Sequence, residues 1–234
     1  MDKAKNFNVG LFIDGYTFKK VNEYYRYHHS RQSCIDFRGF KNWVTHTVRQ
    51  FFKVEKGLHL EAHYYHPYEN PDQNAPIQHI GTYRFENKLI EAGIQMHYNN
   101  VPSKQKPNLD LIDDAIMFSM YKKIDVAVLV STQGQFAKLP CQLKRLGVPM
   151  VLLGWNFEYP GNQYVVKWHT DFVLKEKSFH YIAMDKVMEK ENDAQESAIT
   201  TQMFQRNKID LKVKALASAE TVFWKEMSMS PEHQ

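Results

Sequence analysis

The sequence is poor in the features that define several protein classes. Only two cysteines occur in 234 residues, Cys34 and Cys141, and neither belongs to a CxxC or Cys/His spacing, which argues against a disulfide framework or a zinc site. No stretch approaches eighteen consecutive apolar residues, and the first ten residues lack the apolar core of a signal peptide. We therefore expect a cytoplasmic protein that does not enter a membrane.

Common catalytic and cofactor motifs are absent as well. The histidines form no HExxH pattern, so His63, His66 and His97 are expected to be surface or core residues rather than metal ligands. No GxGxxG sequence follows a predicted strand, which argues against a dinucleotide-binding site.

Positive charge is concentrated in the first 182 residues. They hold 23 Lys and Arg against 17 Asp and Glu, whereas residues 183–234 hold 7 against 9. Within residues 16–56, basic side chains alternate with aromatic ones, and a single-stranded nucleic acid groove needs both cations for phosphates and flat rings for bases. An amphipathic helix that buries its aromatic residues would give the same pattern, so both interpretations stay open.

Apolar runs and helical hydrophobic spacings alternate along the chain. Strands are predicted at 9–13, 58–65, 94–98, 126–130 and 150–153, with a further edge strand at 172–174, and helices at 16–29, 36–54, 81–92, 109–122 and 136–146. This alternation predicts an α/β domain over residues 1–182, with a mostly parallel central sheet between two helical layers and functional groups at the carboxyl ends of the strands. Residues 183–234 are predicted to form a C-terminal helical extension that packs on the domain or on a partner chain.

Three polar groups fall where these elements should converge. Asp14 ends the first apolar strand, Asp110, Asp113 and Asp114 begin a helix, and the polar residues 131–135 follow the strand at 126–130. Asp110 and Asp114 lie four residues apart on one helical face, where two like charges are unfavourable without a cation. The spacing therefore indicates contact with a metal or a substrate, although a solvated helix start remains the alternative.

Four segments carry a family resemblance. VGLFIDGYTF (9–18), KPNLDLIDDAI (106–116), DVAVLVSTQGQF (125–136) and LKRLGVPMVLLG (143–154) resemble, in this order and spacing, the NYN domains of the PIN-like nuclease superfamily. The TDF sequence at 170–172 is similar to the segment that closes such domains. The resemblance implies a three-layer PIN-like (Rossmannoid) fold and a ribonuclease that uses Mg²⁺ or Mn²⁺ to activate water against an RNA phosphodiester.

The resemblance also implies roles for individual residues. Catalysis is assigned to Asp14, Asp110 and Asp114, and metal binding to the same three residues and Asp113. The residues expected to contact RNA are Thr17, Asn108, Ser131, Gln133, Gln135, Lys19, Lys20, Arg38, Lys41 and Arg49, of which the basic ones in segment 16–56 are expected to guide RNA toward Asp14.

The sequence departs from the family pattern at three positions. Gln133 and Gln135 stand where two aspartates are usual, and Thr17 stands where the pattern has asparagine. An amide coordinates a hard cation weakly, so the alternative is a degenerate domain that binds RNA or a protein partner without cleavage. Residues 183–234 are expected to mediate such a protein contact or a homo-oligomer. A haloacid dehalogenase-like hydrolase ranks low, because Tyr16 occupies the usual place of its second acidic residue.

Overall fold

The computed structural model describes residues 6–67, 80–99, 107–161, 164–189 and 200–204. The strands in these ranges are β1 (Phe7–Asp14), β2 (Leu58–Tyr65), β3 (Gln95–His97), β4 (Val126–Val130), β5 (Met150–Gly154), β6 (Phe157–Pro160), β7 (Val165–Trp168) and β8 (His180–Ala183). The α-helices are α1 (Gly15–Tyr27), α2 (Phe37–Phe51), α3 (Ile80–Glu91), α4 (Asp110–Met120), α5 (Leu139–Arg145), α6 (Phe172–Lys177) and α7 (Met184–Glu189).

Six strands form one sheet in the order β3-β2-β1-β4-β5-β8, and every neighbouring pair is parallel. Strands β6 and β7 form a separate antiparallel hairpin after β5. The predicted α/β architecture with a parallel central sheet is therefore confirmed. The strongly apolar sequences of β1, β4 and β5 are those of strands covered on both faces, and all five residues of β4 and of β5 are buried.

A hydrophobic core lies on each face of the sheet. Val9, Leu11 and Ile13 of β1 face the core that is covered by α1 and α2, whereas Phe12 faces the core that includes Leu111 of α4 and residues of α5. Because side chains alternate along a strand, Asp14 is directed to the same face as Phe12. The end of β1 therefore places Asp14 at the carboxyl edge of the sheet, toward the α4 side.

Two predicted elements differ from the structure. Residues 172–174 begin helix α6 instead of an edge strand, because the Asp171 side chain accepts a hydrogen bond of 2.8 Å from the backbone N–H of Leu174 and caps that helix. The edge strand of the sheet is β8. The helix predicted at 136–146 is present but shorter: α5 spans Leu139–Arg145, with Pro140 in its first turn, and a 3-10 turn at Gly134–Phe136 precedes it.

Part of the C-terminal extension packs on the domain. The backbone N–H of Asp36 donates a 2.7 Å hydrogen bond to the carbonyl of Met203, and Ile35 and Phe204 form an antiparallel bridge. The Phe204 ring lies 5.1 Å from the ring of Tyr25. The predicted extension at 190–199 and 205–234 lies outside the described residues. No helix in the described ranges has the length and hydropathy needed to cross a membrane.

Candidate functional site at the carboxyl edge of the sheet

Asp14 is enclosed at the end of β1. Its Oδ1 atom accepts a hydrogen bond of 3.1 Å from the backbone N–H of Tyr16, which caps helix α1. Its Oδ2 atom accepts hydrogen bonds from the hydroxyls of Thr17, at 2.6 Å, and Ser131, at 2.8 Å. The side chain has no exposed surface. Three donors from the protein itself thus hold this carboxyl group, two of them from residues that the sequence placed at the site.

The hydroxyl groups continue into the loop after β4. Thr17 Oγ1 accepts a hydrogen bond of 3.2 Å from the backbone N–H of Thr132 and lies 3.2 Å from the Thr132 hydroxyl. The Gln133 backbone N–H donates to Ser131 Oγ at 3.0 Å, and its side-chain amide donates to Thr132 Oγ1 at 3.0 Å. The structure therefore brings Asp14, Thr17, Ser131 and Gln133 together in one hydrogen-bonded network at this edge. Gln135 is exposed on the 3-10 turn.

Burial raises the pKa of Asp14 to about 6. Desolvation disfavours the charged form, and the hydrogen bonds from Thr17, Ser131 and the backbone lower the pKa only in part. The group therefore changes its charge closer to neutrality than an exposed aspartate does. An acid with this pKa holds a proton at mildly acidic pH and is a carboxylate above about pH 6.

Asp114 is turned to different partners. Its Oδ2 atom accepts a 2.8 Å hydrogen bond from the hydroxyl of Tyr65, and it lies 3.4 Å from Nδ1 of His97. The rings of Tyr65 and His97 are stacked with centroids 4.4 Å apart. Tyr65 of β2 is paired with Asp14 of β1, so the two side chains lie on the same face of the sheet. Asp114 therefore lies on that face too, but its hydrogen bond is to Tyr65 of β2 and not to the residues that surround Asp14.

The interaction of Asp114 extends along β2. Nε2 of His97 lies 3.0 Å from Nδ1 of His63, and Nε2 of His63 lies 3.5 Å from a carboxylate oxygen of Glu61. Burial and the neighbouring His97 lower the pKa of His63 to about 4, and burial lowers the pKa of His97 although Asp114 and Asp110 oppose that shift. The sequence motifs did not predict this group, although the alternation of β2 places His63 and Tyr65 on one face.

The other two acidic residues that were predicted to bind a metal, Asp113 and Asp110, form no hydrogen bond with Asp14 in the described structure. Asp113 is exposed on α4, which is the solvated arrangement that the sequence left as an alternative. Asp110 is half-buried, and its backbone N–H donates to Oδ1 of the buried Asn108 at 3.1 Å. Asn108 thus positions the start of α4.

Asp171, in the segment that the resemblance linked to the end of the domain, contacts the loop after β4. Its backbone N–H donates a 3.0 Å hydrogen bond to the carbonyl of Thr132. A Cβ atom built on Gly134 would lie 2.8 Å from Oδ2 of Asp171, so only a glycine leaves room for this carboxylate at its present position. The structure therefore adds Asp171 to the candidate site.

The residues that the resemblance assigns to a metal do not fit a magnesium ion in this arrangement. Mg²⁺ needs accessible hard oxygen ligands and usually keeps several waters, but Asp14 is fully buried with both oxygens hydrogen-bonded. Asp114 is bound to Tyr65, and Gln133 and Gln135 carry no charge. Over the described ranges of the chain, no group of three or more His, Cys, Asp and Glu side chains is placed to hold a metal ion.

Segment 16–56 has a mainly structural role. The rings of Phe18, Phe37, Phe40 and Trp43 are buried in the core. Lys41 Nζ donates to the carbonyls of Ala92 and Gly93, both at 3.1 Å, and Arg38 donates to the carbonyl of Glu91 at 3.2 Å. Arg38 and Lys41 therefore bind the end of α3, and the structure does not bring them to Asp14.

The other three basic residues that were predicted to contact RNA, Arg49, Lys19 and Lys20, lie on two different helices. Arg49 is exposed in the last turn of α2, close to Phe52, whose ring lies 5.6 Å from the ring of Phe7 at the opposite end of β1 from Asp14. Lys20 Nζ binds Glu23 at 3.0 Å, and Lys19 is exposed on α1. Only the lysines of α1 thus remain near the carboxyl edge.

A cavity of about 580 Å³ lies between α1 and α3. Gly15, which directly follows Asp14, lines it together with Lys19 and Arg26 of α1 and Arg84 and Lys88 of α3. The cavity is therefore basic and reaches the carboxyl edge of the sheet. The spacing of Arg84 and Lys88 on one face of a helix was the available sequence signal for this surface.

The comparisons with known proteins concern the fold. No model of a protein family matches the chain, and none of the curated proteins compared with it matches. A crystal structure of a protein of unknown function from Vibrio parahaemolyticus is similar, with a TM-score of 0.50 and 16% sequence identity over 79% of this chain and 97% of that chain. At this identity the similarity supports the shared α/β fold.

Proposed function

We propose that this chain is a PIN-like domain of the NYN type that binds single-stranded RNA at the carboxyl edge of its sheet and does not cleave it through a metal-bound water. The observation that carries the proposal is the enclosure of Asp14 by the hydroxyls of Thr17 and Ser131 and the backbone N–H of Tyr16. A carboxylate held in this way is unavailable as a metal ligand unless these hydrogen bonds break.

Two features support RNA as the ligand. Residues 1–182 carry an excess of six positive charges, which favours the phosphate backbone of a nucleic acid. The basic cavity between α1 and α3 reaches Gly15, so the concentrated charge lies beside the edge where PIN-like proteins bind their substrates.

The rival proposal is the metal-dependent ribonuclease. Asp171 favours it, because its carboxylate lies against Gly134, within the loop in which Gln133 and Gln135 replace two aspartates. In that case Mg²⁺ or Mn²⁺ would have to draw Asp14 away from Thr17 and Ser131 on binding.

A labelled single-stranded RNA distinguishes the two proposals. We expect the wild-type protein to bind this RNA in low salt and to leave it intact with Mg²⁺ or Mn²⁺. Metal-dependent cleavage by the wild type that is lost in Asp14→Asn would contradict the binding proposal and establish the ribonuclease. Asp14→Asn purified in the same way as the wild type is the control for contaminating nuclease.

A further inference from the structure

The cavity between α1 and α3 has cations on two opposite walls. Lys19 and Arg26 lie seven residues apart, and therefore two turns apart on one face of α1, and Arg84 and Lys88 lie one turn apart on α3. All four side chains are exposed. Two walls of like charge across one cavity create a positive potential that an anion between them would relieve.

The acidic residue of the lining does not cancel this charge. The lining includes Glu23, but its carboxylate binds the ammonium group of Lys20 at 3.0 Å, and Lys20 does not line the cavity. Within the described part of the chain, Lys19, Arg26 and Arg84 form no ion pair with a carboxylate. The charge of these three side chains is thus available to a ligand.

Aromatic rings form the apolar part of the cavity. The half-buried Phe85 packs at 5.3 Å from Phe37 and 5.5 Å from Tyr64, which holds its ring in place. Tyr27 is 63% exposed at the wall, with the guanidinium of Arg26 5.0 Å from its ring centre. Flat rings next to cations are suited to a ligand that joins an aromatic base to a phosphate.

We propose that this cavity is the groove in which single-stranded RNA binds, with phosphates between the cations of α1 and α3 and bases against Phe85 and Tyr27. This inference rests on the proposed RNA-binding function and assigns the surface that performs it. The volume of about 580 Å³ lies within the roughly 300–1,000 Å³ of small-ligand sites and so accommodates nucleotide units. Gly15 in the lining places one end of the groove at the carboxyl end of β1, on the face of the sheet that α1 and α2 cover.

Paired charge variants test the groove. Lys19→Gln with Arg84→Gln removes one cation from each wall, and Lys144→Gln with Arg145→Gln removes two exposed cations from α5 on the other face of the sheet. With a fluorescent RNA of a dozen uridines, we expect the first pair to weaken binding at least about tenfold at low salt and the second to change it by less than about twofold. In a plot of log K against the logarithm of the salt concentration, the slope of the first variant should be less steep than that of the wild type by about 1.4, since each lost phosphate contact contributes about 0.7.

The two cysteines provide an independent measurement in the unmodified protein. Cys34 lines the cavity and is half-buried, whereas Cys141 is exposed on α5. Saturating RNA should slow alkylation of Cys34 by N-ethylmaleimide and leave the rate at Cys141 unchanged, as measured by mass spectrometry of the cysteine peptides.

Each outcome has a separate meaning. If wild type and both charge variants bind RNA equally and Cys34 is not protected, the groove is wrong while the RNA-binding function stands. If the wild type binds no RNA at low salt, both proposals are wrong. If free uridine monophosphate displaces the RNA at concentrations similar to those of the RNA, the cavity recognises a single nucleotide, and the proposed groove for an extended strand is wrong.

Discussion

The hydroxyl of Thr17 donates a 2.6 Å hydrogen bond to Oδ2 of Asp14, and so joins the first turn of α1 to the end of β1. The same Thr17 oxygen accepts a hydrogen bond from the backbone N–H of Thr132 in the loop after β4. One threonine thus connects three segments of the carboxyl edge. The Asp14 carboxyl group is occupied by hydrogen bonds within the protein. Because it is not free to bind a metal ion, we propose RNA binding without metal-dependent cleavage.

Thr17→Val tests how strongly this contact stabilises the fold. The substitution keeps a similar volume but removes the acceptor for the buried N–H of Thr132 and one of the two donors to Oδ2 of Asp14, which keeps only Ser131. We expect the free energy of unfolding to fall by about 1–3 kcal/mol in urea titrations. Thr17→Ser retains the hydroxyl and should cost clearly less, and equal losses in the two variants would contradict the assigned hydrogen bonds.

The pH dependence of stability tests the burial of Asp14. Its pKa of about 6 in the folded protein lies above its ordinary value of 3.8, so between about pH 4 and 6 the native state binds more protons than the unfolded state. The contribution of Asp14 to the free energy of unfolding should therefore decrease by about 3 kcal/mol as the pH rises through this range, and remain constant above it.

Asp14→Asn isolates that contribution, because asparagine does not titrate. The wild-type stability minus that of the variant should fall from pH 4 to pH 6. A constant difference, or one that increases with pH, would mean that the carboxylate is solvated or paired with a cation. Urea unfolding at several pH values provides the measurement.

Much of the fold could be predicted from sequence because the strands are encoded locally. The apolar run of β4 gives Val126–Val130 in the structure, as predicted, since a strand buried on both faces is a continuous hydrophobic segment. The edge strand His180–Ala183 escaped prediction because its sequence HYIA mixes polar and apolar residues and all four are half-buried. The apolar residues at 172–174 predicted a strand, but they form the first turn of α6 because the Asp171 side chain caps that helix.

The sequence predicted the positions of only those site residues that lie directly at the ends of strands. Asp14 and Ser131 end neighbouring parallel strands, so their proximity follows from the topology. The position of Asp114 depends on Tyr65 and His97, which belong to other strands, and no sequence spacing reveals that contact. The binding of Arg38 and Lys41 to the end of α3 is likewise a tertiary arrangement.

Gly134→Ala tests the contact between Asp171 and the loop after β4. The new methyl group would lie 2.8 Å from Oδ2 and 3.1 Å from Cγ of Asp171, whose other oxygen caps α6. We expect a loss of about 0.5–2 kcal/mol in unfolding free energy, because Asp171 must move and its cap on α6 is weakened.

A double-mutant cycle identifies the cause of that loss. Asp171→Ser keeps a capping oxygen on a shorter side chain, so Gly134→Ala should cost little in this background. If the alanine costs the same with Asp171 and with serine, the steric contact is not responsible.

His97→Asn tests the interaction along β2. Burial and His97 together hold the pKa of His63 at about 4, and the substitution removes only the second contribution. NMR titration of the His63 ring should therefore show its pKa increasing while remaining below the ordinary 6.5, since burial persists. Tyr65→Phe, which leaves His97 in place, is the control and should change the His63 pKa less. An unchanged pKa in His97→Asn would contradict the contact between Nδ1 of His63 and Nε2 of His97.

Adding carboxylates to the loop after β4 tests whether their absence prevents metal binding. Gln133→Asp with Gln135→Asp adds two hard ligands to the loop that contacts Asp14 through Ser131 and Asp171 at Gly134, and Mn²⁺ would relieve the repulsion between these carboxylates. We expect Mn²⁺ to raise the unfolding temperature of this variant by several degrees and to leave the wild type unchanged, as measured by calorimetry. Gln133→Asn with Gln135→Asn controls for the shorter side chains. An equal Mn²⁺ stabilisation of the wild type would show that Asp14 leaves Thr17 and Ser131 to bind the ion, and would favour the ribonuclease over the binding domain.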